Sequence, residues 1–318
     1  MTTMKAIRIH QYGNPQVLRA EDVPRPEPGA AEILVRVVAA GVNAIDWKIR
    51  SGMLKEMIPL PLPYTPGLDF SGVVAQLGSN VGDLGVGAEV FGKVDLPAQG
   101  SYAEYVVAKR SGVVAKPRAI DHLHAAAVPL AALTAWQGLF GDARGPGLDL
   151  RAGQSVIILG AAGGVGSFAV SLAKWKGARV VAVTRKTGQD ELRALGADVV
   201  VDEQHPMLGD VGQADAVFDL VGGELQRRAW AQVKQGGAFA STMGMPAETE
   251  ARAHGARASA VSTQTNGEQL AEIARLIDAG KVKVLISETV PLGSAWRAHE
   301  SIERGGVRGK IVLTVAQP

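Results

Sequence analysis

Cysteine is absent from all 318 residues. That excludes disulfides, thiolate nucleophiles and every zinc site that relies on sulfur ligands. A surplus of charge is also missing, since 33 Lys+Arg face 31 Asp+Glu, a net of only +2. So small an imbalance gives no footprint for a nucleic-acid partner. The opening residues, from Met1 to His10, lack the apolar stretch of a secretory signal, so a soluble cytoplasmic protein is expected. Two uncharged stretches, 154–173 and 125–141, are not read as membrane spans. Gly160, Gly163, Gly164 and Gly166 break the first, and Pro129 breaks the second. What is abundant is glycine, 39 residues dispersed through short apolar runs, within a chain that is 47% hydrophobic. At roughly 150 residues per domain the length suggests two domains.

The first 118 residues read as short strands over 5–9, 17–23, 32–39, 72–77, 89–93 and 102–108. Gly/Pro turns separate them, and one helical segment lies near 44–50, so a β-barrel-like unit is expected. Asp121 is placed to N-cap a short helix, Pro129 to open another and Gly141 to close it. From Ser155 the pattern alternates: strand 156–159, helix 164–176, strand 179–184, helix 188–195, strands 198–201 and 214–220, helix 224–233, strand 238–241. This βαβ rhythm predicts a parallel sheet with helices on both faces. A helix over 267–279, an edge strand over 284–290, a helix over 294–303 and a strand over 310–315 close the chain.

Gly160-Ala-Ala-Gly-Gly-Val-Gly166 follows a strand and opens a helix, which is the setting of a dinucleotide-binding turn. Gly163 lets backbone approach a pyrophosphate, Gly166 permits close packing of helix on strand, and the helix start supplies N–H groups and a positive dipole end. Ala161 stands where the usual pattern has its first glycine. An NAD site places an acid near the end of the next strand. Here that position reads Val183-Thr184-Arg185-Lys186, two cations and a hydroxyl suited to a 2′-phosphate, so NADPH is the expected cofactor.

Other chemistries fit less well. The six histidines are scattered, and His122 and His124, two apart on a helix, cannot easily share an ion. They read as two partly exposed side chains, and no metal site is expected. Tyr105 and Lys109 have the spacing of a helical proton-donor pair, but their run alternates as a strand does. Gly166 is followed by Ser167-Phe168 and not by the Lys-Ser/Thr of a phosphate-binding loop.

The whole chain resembles the zinc-independent medium-chain dehydrogenase/reductases, specifically their quinone oxidoreductase (zeta-crystallin-like) branch. The motifs that carry the likeness are Ala40-Gly-Val-Asn-Ala-Ile-Asp-Trp-Lys-Ile-Arg-Ser-Gly52, Pro63-Tyr-Thr-Pro-Gly-Leu-Asp-Phe-Ser-Gly72 and Gly100-Ser-Tyr-Ala-Glu-Tyr105. Further along they are the run from Ala125 to Trp136, the glycine turn, and Arg308-Gly-Lys-Ile-Val-Leu313. The resemblance implies an α/β protein with a GroES-like β-barrel domain over 1–125 and 266–318. It also implies a doubly wound Rossmann domain with a parallel sheet over 126–265, the cofactor lying in the cleft between them.

By the same resemblance Asn43 and Lys48 lie near the nicotinamide, Thr134 lines the cleft, and Ala162, Gly163, Gly164 and Val165 hold the pyrophosphate. Arg185 meets the adenosine phosphate, and Val221-Gly222-Gly223 and Thr242-Met243-Gly244 close over the cofactor. Lys48 stands where many members carry Tyr, and Gly87-Ala88 replaces a common Gly-Asp. The implied activity is NADPH-dependent reduction of quinones by direct hydride transfer without metal. Lys48 or a hydroxyl would stabilise the oxygen, and water or Tyr64 would supply the proton. An enal or enone reductase and a non-catalytic NADPH-binding sensor remain alternatives. The expected partner is a small quinone or conjugated carbonyl, not nucleic acid or membrane, and a homodimer is compatible with the reading.

Overall fold

The computed structural model describes residues 2–185, 188–204 and 211–316. They divide into two compact units, one built from 2–130, 265–278 and 285–316, the other from 131–264 and 279–284. In the first, β1 (Thr3–Arg8) pairs antiparallel with β2 (Arg19–Pro24). The long β3 (Glu32–Val42) leads into α1 (Ala44–Ser51), and β4 (Asp69–Leu77), β5 (Glu89–Lys93), β6 (Tyr105–Lys109), β7 (Val113–Ala115) and α2 (His122–Ala126) follow. The helix α3 (Pro129–Phe140) then carries the chain out of this unit.

The second unit holds β8 (Ser155–Leu159), α4 (Gly164–Trp175), β9 (Arg179–Thr184), α5 (Gln189–Ala194) and β10 (Val199–Asp202). It continues with β11 (Ala214–Asp219), α6 (Gly223–Ala229), β12 (Val233–Ser241), α7 (Glu248–Ala253) and β13 (Arg257–Ala260). The tail returns to the first unit as α8 (Gly267–Asp278), β14 (Ile286–Pro291), α9 (Ala295–Arg304) and β15 (Lys310–Thr314).

The first unit's main sheet has the order β14-β15-β3-β4-β5-β7, with β6 added to β3. Apart from the parallel pair β14/β15, its strands run antiparallel. Ile33, Val35, Val37, Phe70, Val90, Tyr102, Ile311 and Leu313 fill its core. The second unit's sheet is wholly parallel, in the order β10-β9-β8-β11-β12-β13. Counted from β8 this is 3-2-1-4-5-6, the doubly wound order, with its topological switch between β8 and β11. Its central strand explains the uninterrupted apolar run Val156–Leu159: covered on both faces, it has no polar side to alternate with.

Several local expectations shift. The strand expected over 102–108 starts only at Tyr105. The residues before it form a turn, in which Gly100, Ser101 and Tyr102 donate their N–H groups to the carbonyls of Thr65, Gly67 and Pro66 at 2.7–3.0 Å. The helix expected over 224–233 ends at Ala229, because Val233 opens β12 and pairs with Ala214. The helix α7 and the strands β7 and β13 were not anticipated. Tyr105 and Lys109 lie on a strand, as the alternation predicts. Asp121 does cap α2, accepting the His124 N–H at 2.8 Å. His122 corrects the expectation of partial exposure: it is buried, its Nδ1 2.8 Å from the Ser71 hydroxyl and its Nε2 3.3 Å from Glu89. No helix among the described residues is long and apolar enough to cross a membrane.

Candidate active site

In the second unit, register aligns the carboxyl ends of the strands. Leu159 lies beside Val183 and Asp219, Thr184 beside Asp202, and Asp219 beside Ser241. The glycine turn therefore leaves the sheet at its switch point, where such folds bind ligands. Gly160 makes the bend with a left-handed φ of +77°, while its N–H and that of Ala161 both donate to the Val183 carbonyl at 3.0 Å. The bend thus belongs to Gly160, and Ala161 is buried without needing glycine's freedom. Gly166 is the close-packing residue: a Cβ there would stand 2.3 Å from the Gly160 oxygen and 2.6 Å from the Ala161 Cα.

Helix α4 starts after its N-cap, Gly163, and its first intrahelical bond at that end runs from the Ser167 N–H to the Gly163 carbonyl at 3.0 Å. The N–H groups of Gly164, Val165 and Gly166 precede that bond and lie in the unpaired first turn. With Gly163 open to approach, these residues fit a pyrophosphate.

Asp219 organises the neighbouring strand ends. Fully buried, it accepts the N–H groups of Val221 (3.0 Å) and Gly222 (2.9 Å) on Oδ1. Its Oδ2 accepts the Gln226 amide and the Ser241 hydroxyl, each at 2.7 Å. The Thr242 N–H reaches the Asp219 carbonyl at 3.1 Å, and the Met243 N–H reaches Ser241 Oγ at 3.0 Å. One carboxylate therefore fixes both Val221-Gly222-Gly223 and Thr242-Met243-Gly244, leaving Val221 and Met243 as exposed apolar side chains. Sequence reasoning passed over Asp219, although an acid closing a buried strand just ahead of Val-Gly-Gly is a visible signal.

Thr184 is buried at the end of β9, and Arg185 follows it, exposed, with its Nε 3.1 Å from Glu203 Oε1. Glu203 is a second omission. It enters from the end of β10, held there by its N–H on the Thr184 carbonyl at 2.8 Å. Lys186 lies outside the described residues. Thr134 shares a 2.5 Å hydrogen bond with Thr263, and the Gln137 amide clamps both backbone groups of Gln264 at 2.9 Å, which ties α3 to the segment beyond β13.

In the first unit Asn43 starts α1. Its N–H donates to Asp46 Oδ2 at 2.8 Å, so that acid takes part in a capping box at the start of α1. Burial pushes the Asp46 pKa up to about 7, Asp69 adding to the rise and the Asn43 N–H, Tyr102 and Lys310 opposing it. Lys48 is half-buried in the last turn of α1, with no ion-pair partner among the described residues. Tyr64 has a different setting from an open proton donor. It is 1% exposed, its hydroxyl has no hydrogen-bond partner among the described residues, and burial followed by the nearby Asp46 raises its pKa.

Known proteins are similar to this chain along most of its length. Residues 29–118 match the alcohol dehydrogenase GroES-like domain, and residues 195–313 match the zinc-binding dehydrogenase family. A 2-methylene-furan-3-one reductase from Solanum lycopersicum is 37% identical over 98% of this chain and 79% of its own length. The chain belongs to the medium-chain dehydrogenase/reductases, in their quinone oxidoreductase-like family. An NADPH-dependent alkenal/one oxidoreductase of Arabidopsis thaliana is 35% identical, covering 98% of this chain and 79% of its own. The solved quinone oxidoreductase from Coxiella burnetii superposes with a TM-score of 0.88 at 35% identity, over 99% of this chain and 100% of that one.

The first unit is thus a GroES-like domain and the second a Rossmann-like domain, in an oxidoreductase of the NAD(P)H-dependent quinone/alkenal reductase type. The expected cofactor, NADPH, is supported by these relatives. Among the described residues the donor set does not fit the ion in the second family's description. The chain has no cysteine, and among the described residues no group of three His, Asp or Glu side chains gathers to hold a metal.

Proposed function

We propose that this protein reduces quinones with NADPH, a two-electron reaction in which hydride passes directly to the conjugated carbonyl. The observation that carries the reading is the carboxyl edge of the Rossmann sheet, where the glycine turn, Arg185 and the loops held by Asp219 fit one dinucleotide phosphate. Bound there, NADPH supplies a hydride, which with one proton converts a quinone to a hydroquinone. The N–H groups of Gly164, Val165 and Gly166 hold the pyrophosphate, together with Ala162 and Gly163. Thr184 and Arg185 take the 2′-phosphate, and Thr134, Val221-Gly222-Gly223 and Thr242-Met243-Gly244 cover the cofactor.

Lys48, an ammonium without an ion-pair partner among the described residues, stabilises the oxygen that gains charge, and Asn43 lies near the nicotinamide end. The enclosed Tyr64 phenol holds its proton tightly, so water supplies the proton. A second reading has specific support. Two relatives of similar identity are named for enone and alkenal substrates, and such substrates need the same hydride and the same stabilised oxygen.

An NADPH-oxidation assay with an ortho-quinone, a para-quinone and a 2-alkenal separates the readings. Turnover of quinones above the alkenal supports the first, and the reverse order supports the second. Tight NADPH binding with no turnover of any acceptor would favour a non-catalytic role. Replacing Lys48 by Met should slow the preferred acceptor at least about tenfold, and undiminished turnover would clear Lys48 of a part in the reaction.

A further inference from the structure

The GroES-like unit buries an ammonium. Lys310, at the start of β15, is 4% exposed, and its Nζ donates to Asn43 Oδ1 and lies 3.5 Å from Asp69 Oδ2. Asn43 Nδ2 donates to that same carboxylate oxygen at 2.9 Å. The three side chains close a triangle in which each touches the other two. Asp69 is anchored from a further direction by the Leu130 N–H, 2.9 Å from Oδ1. Burial pushes Asp69 up and Lys310 down, and each opposes the shift of the other, so the ion pair offsets part of the desolvation both suffer.

The triangle dictates what Asn43 can do. A carboxamide usually turns end for end at little cost, offering either oxygen or nitrogen to a ligand. Here a flip would set the NH2 group against an ammonium and the carbonyl against a carboxylate. The oxygen is therefore committed to Lys310 and one N–H to Asp69, which leaves the second N–H as the group Asn43 can present. A cation on the carbonyl also draws electron density from the nitrogen and strengthens that N–H as a donor.

We propose that Lys310 and Asp69 are positioning residues that hold Asn43 as a polarised, donor-only group for the acceptor oxygen on which charge develops. The inference rests on the reading above that Asn43 lies near the nicotinamide end, where an acceptor receives the hydride. It adds a requirement: the acceptor must present a hydrogen-bond-accepting oxygen at Asn43.

The test compares Lys310→Met, Lys310→Arg, the double variant Lys310→Met/Asp69→Asn and Asn43→Ala. The double variant removes the uncompensated carboxylate in case the single one does not fold. Lys310→Met and the double variant should lower kcat about 10- to 100-fold with the better acceptor, a cost typical of a misplaced group. The NADPH Kd should stay within about threefold, and Lys310→Arg should recover most of kcat.

An unchanged kcat in Lys310→Met or in Asn43→Ala overturns the proposal, as does an Arg variant as slow as the Met variant. A weakened NADPH Kd with kcat preserved overturns it too, since Asn43 would then bind the cofactor and not the acceptor oxygen. A second readout does not need turnover: the side-chain amide signals of Asn43 in 15N-resolved NMR should shift when a quinone is added to the wild type. Lys310→Met should abolish that response and Lys310→Arg retain it. Asn43 signals indifferent to the quinone overturn the proposal, whereas a wild type with the shift but no turnover overturns only the proposed activity.

Discussion

Asp219 Oδ2 accepts a 2.7 Å hydrogen bond from the Ser241 hydroxyl, joining the ends of two adjacent parallel strands by one buried carboxylate. Its other oxygen takes two backbone N–H groups of the following turn. Asp219→Asn keeps the shape but turns an acceptor-only group into one that must point an NH2 at donors. We expect it to destabilise the fold by about 2–3 kcal/mol, the cost of leaving buried donors unpaired. Both loops at this edge of the sheet should loosen with it. Urea unfolding should show the loss, and titration with NADPH should show weaker binding. A stable variant with native NADPH affinity would show that the carboxylate does not hold these loops.

Gly166 gives a second expectation, because the atoms its Cβ would meet are backbone and cannot turn aside. Gly166→Ala must move α4 away from the 160–161 bend, at about 1–3 kcal/mol for overpacking. That shift displaces the N–H groups of the first helical turn. NADPH binding should weaken more than about tenfold while the far-UV spectrum stays native. Gly163→Ala is the control: its Cβ would meet the Gly160 oxygen at 3.3 Å, so stability should fall less.

Much of this arrangement is legible in the sequence, and the physics says which part. A parallel strand buried on both faces must be a continuous apolar run, and a glycine turn between such a run and a helix has few other uses, so β8, the turn and α4 stand out. The alternation in 105–109 likewise placed Tyr105 and Lys109 on a strand. Contacts between distant segments left no local mark. Glu203 reaches Arg185 from another strand, Lys310 meets Asn43 from 267 residues away, and nothing near Tyr64 signals that its hydroxyl is enclosed. The helix expected over 224–233 failed for a related reason: Val233 is claimed by its pairing with Ala214, a demand its neighbours in sequence do not announce.

On the proposed reading of the site, the Arg185–Glu203 pair bears on coenzyme choice. A guanidinium engaged through Nε can still offer its two terminal nitrogens to a phosphate, while the carboxylate beside it repels one. Arg185→Ala should weaken NADPH binding about 10- to 100-fold and leave NADH within about threefold, as expected for a lost charged hydrogen bond. Glu203→Gln should act in the opposite direction, tightening NADPH by a few-fold. Dissociation constants for both coenzymes, measured at one fixed salt concentration, check this. Equal losses for NADPH and NADH in Arg185→Ala would remove Arg185 from 2′-phosphate recognition.

Finally, the buried chain His299–Tyr102–Asp46 predicts an unusual dependence of stability on pH. His299 Nε2 lies 3.3 Å from the Tyr102 hydroxyl, which donates to Asp46 Oδ2 at 3.0 Å. Burial pushes Asp46 up to about 7 from an ordinary 3.8, and burial with the neighbouring Arg50 holds His299 down to about 3 from 6.5. Between about pH 4 and 6.5 the native state therefore keeps a proton on Asp46 and none on His299, and the unfolded chain does the reverse. The proton counts match, so these two groups together contribute almost no slope in that window. Asp46→Asn should uncover the histidine alone, whose folded pKa is depressed, and stability should then rise with pH by about 1.4 kcal/mol per unit. His299→Gln should uncover the carboxyl, whose folded pKa is raised, and stability should fall by a similar amount from about pH 4 to 7. Urea unfolding of the wild type and both variants at closely spaced pH values tests the pair. Parallel profiles for all three proteins would mean that neither group is held away from its ordinary protonation state.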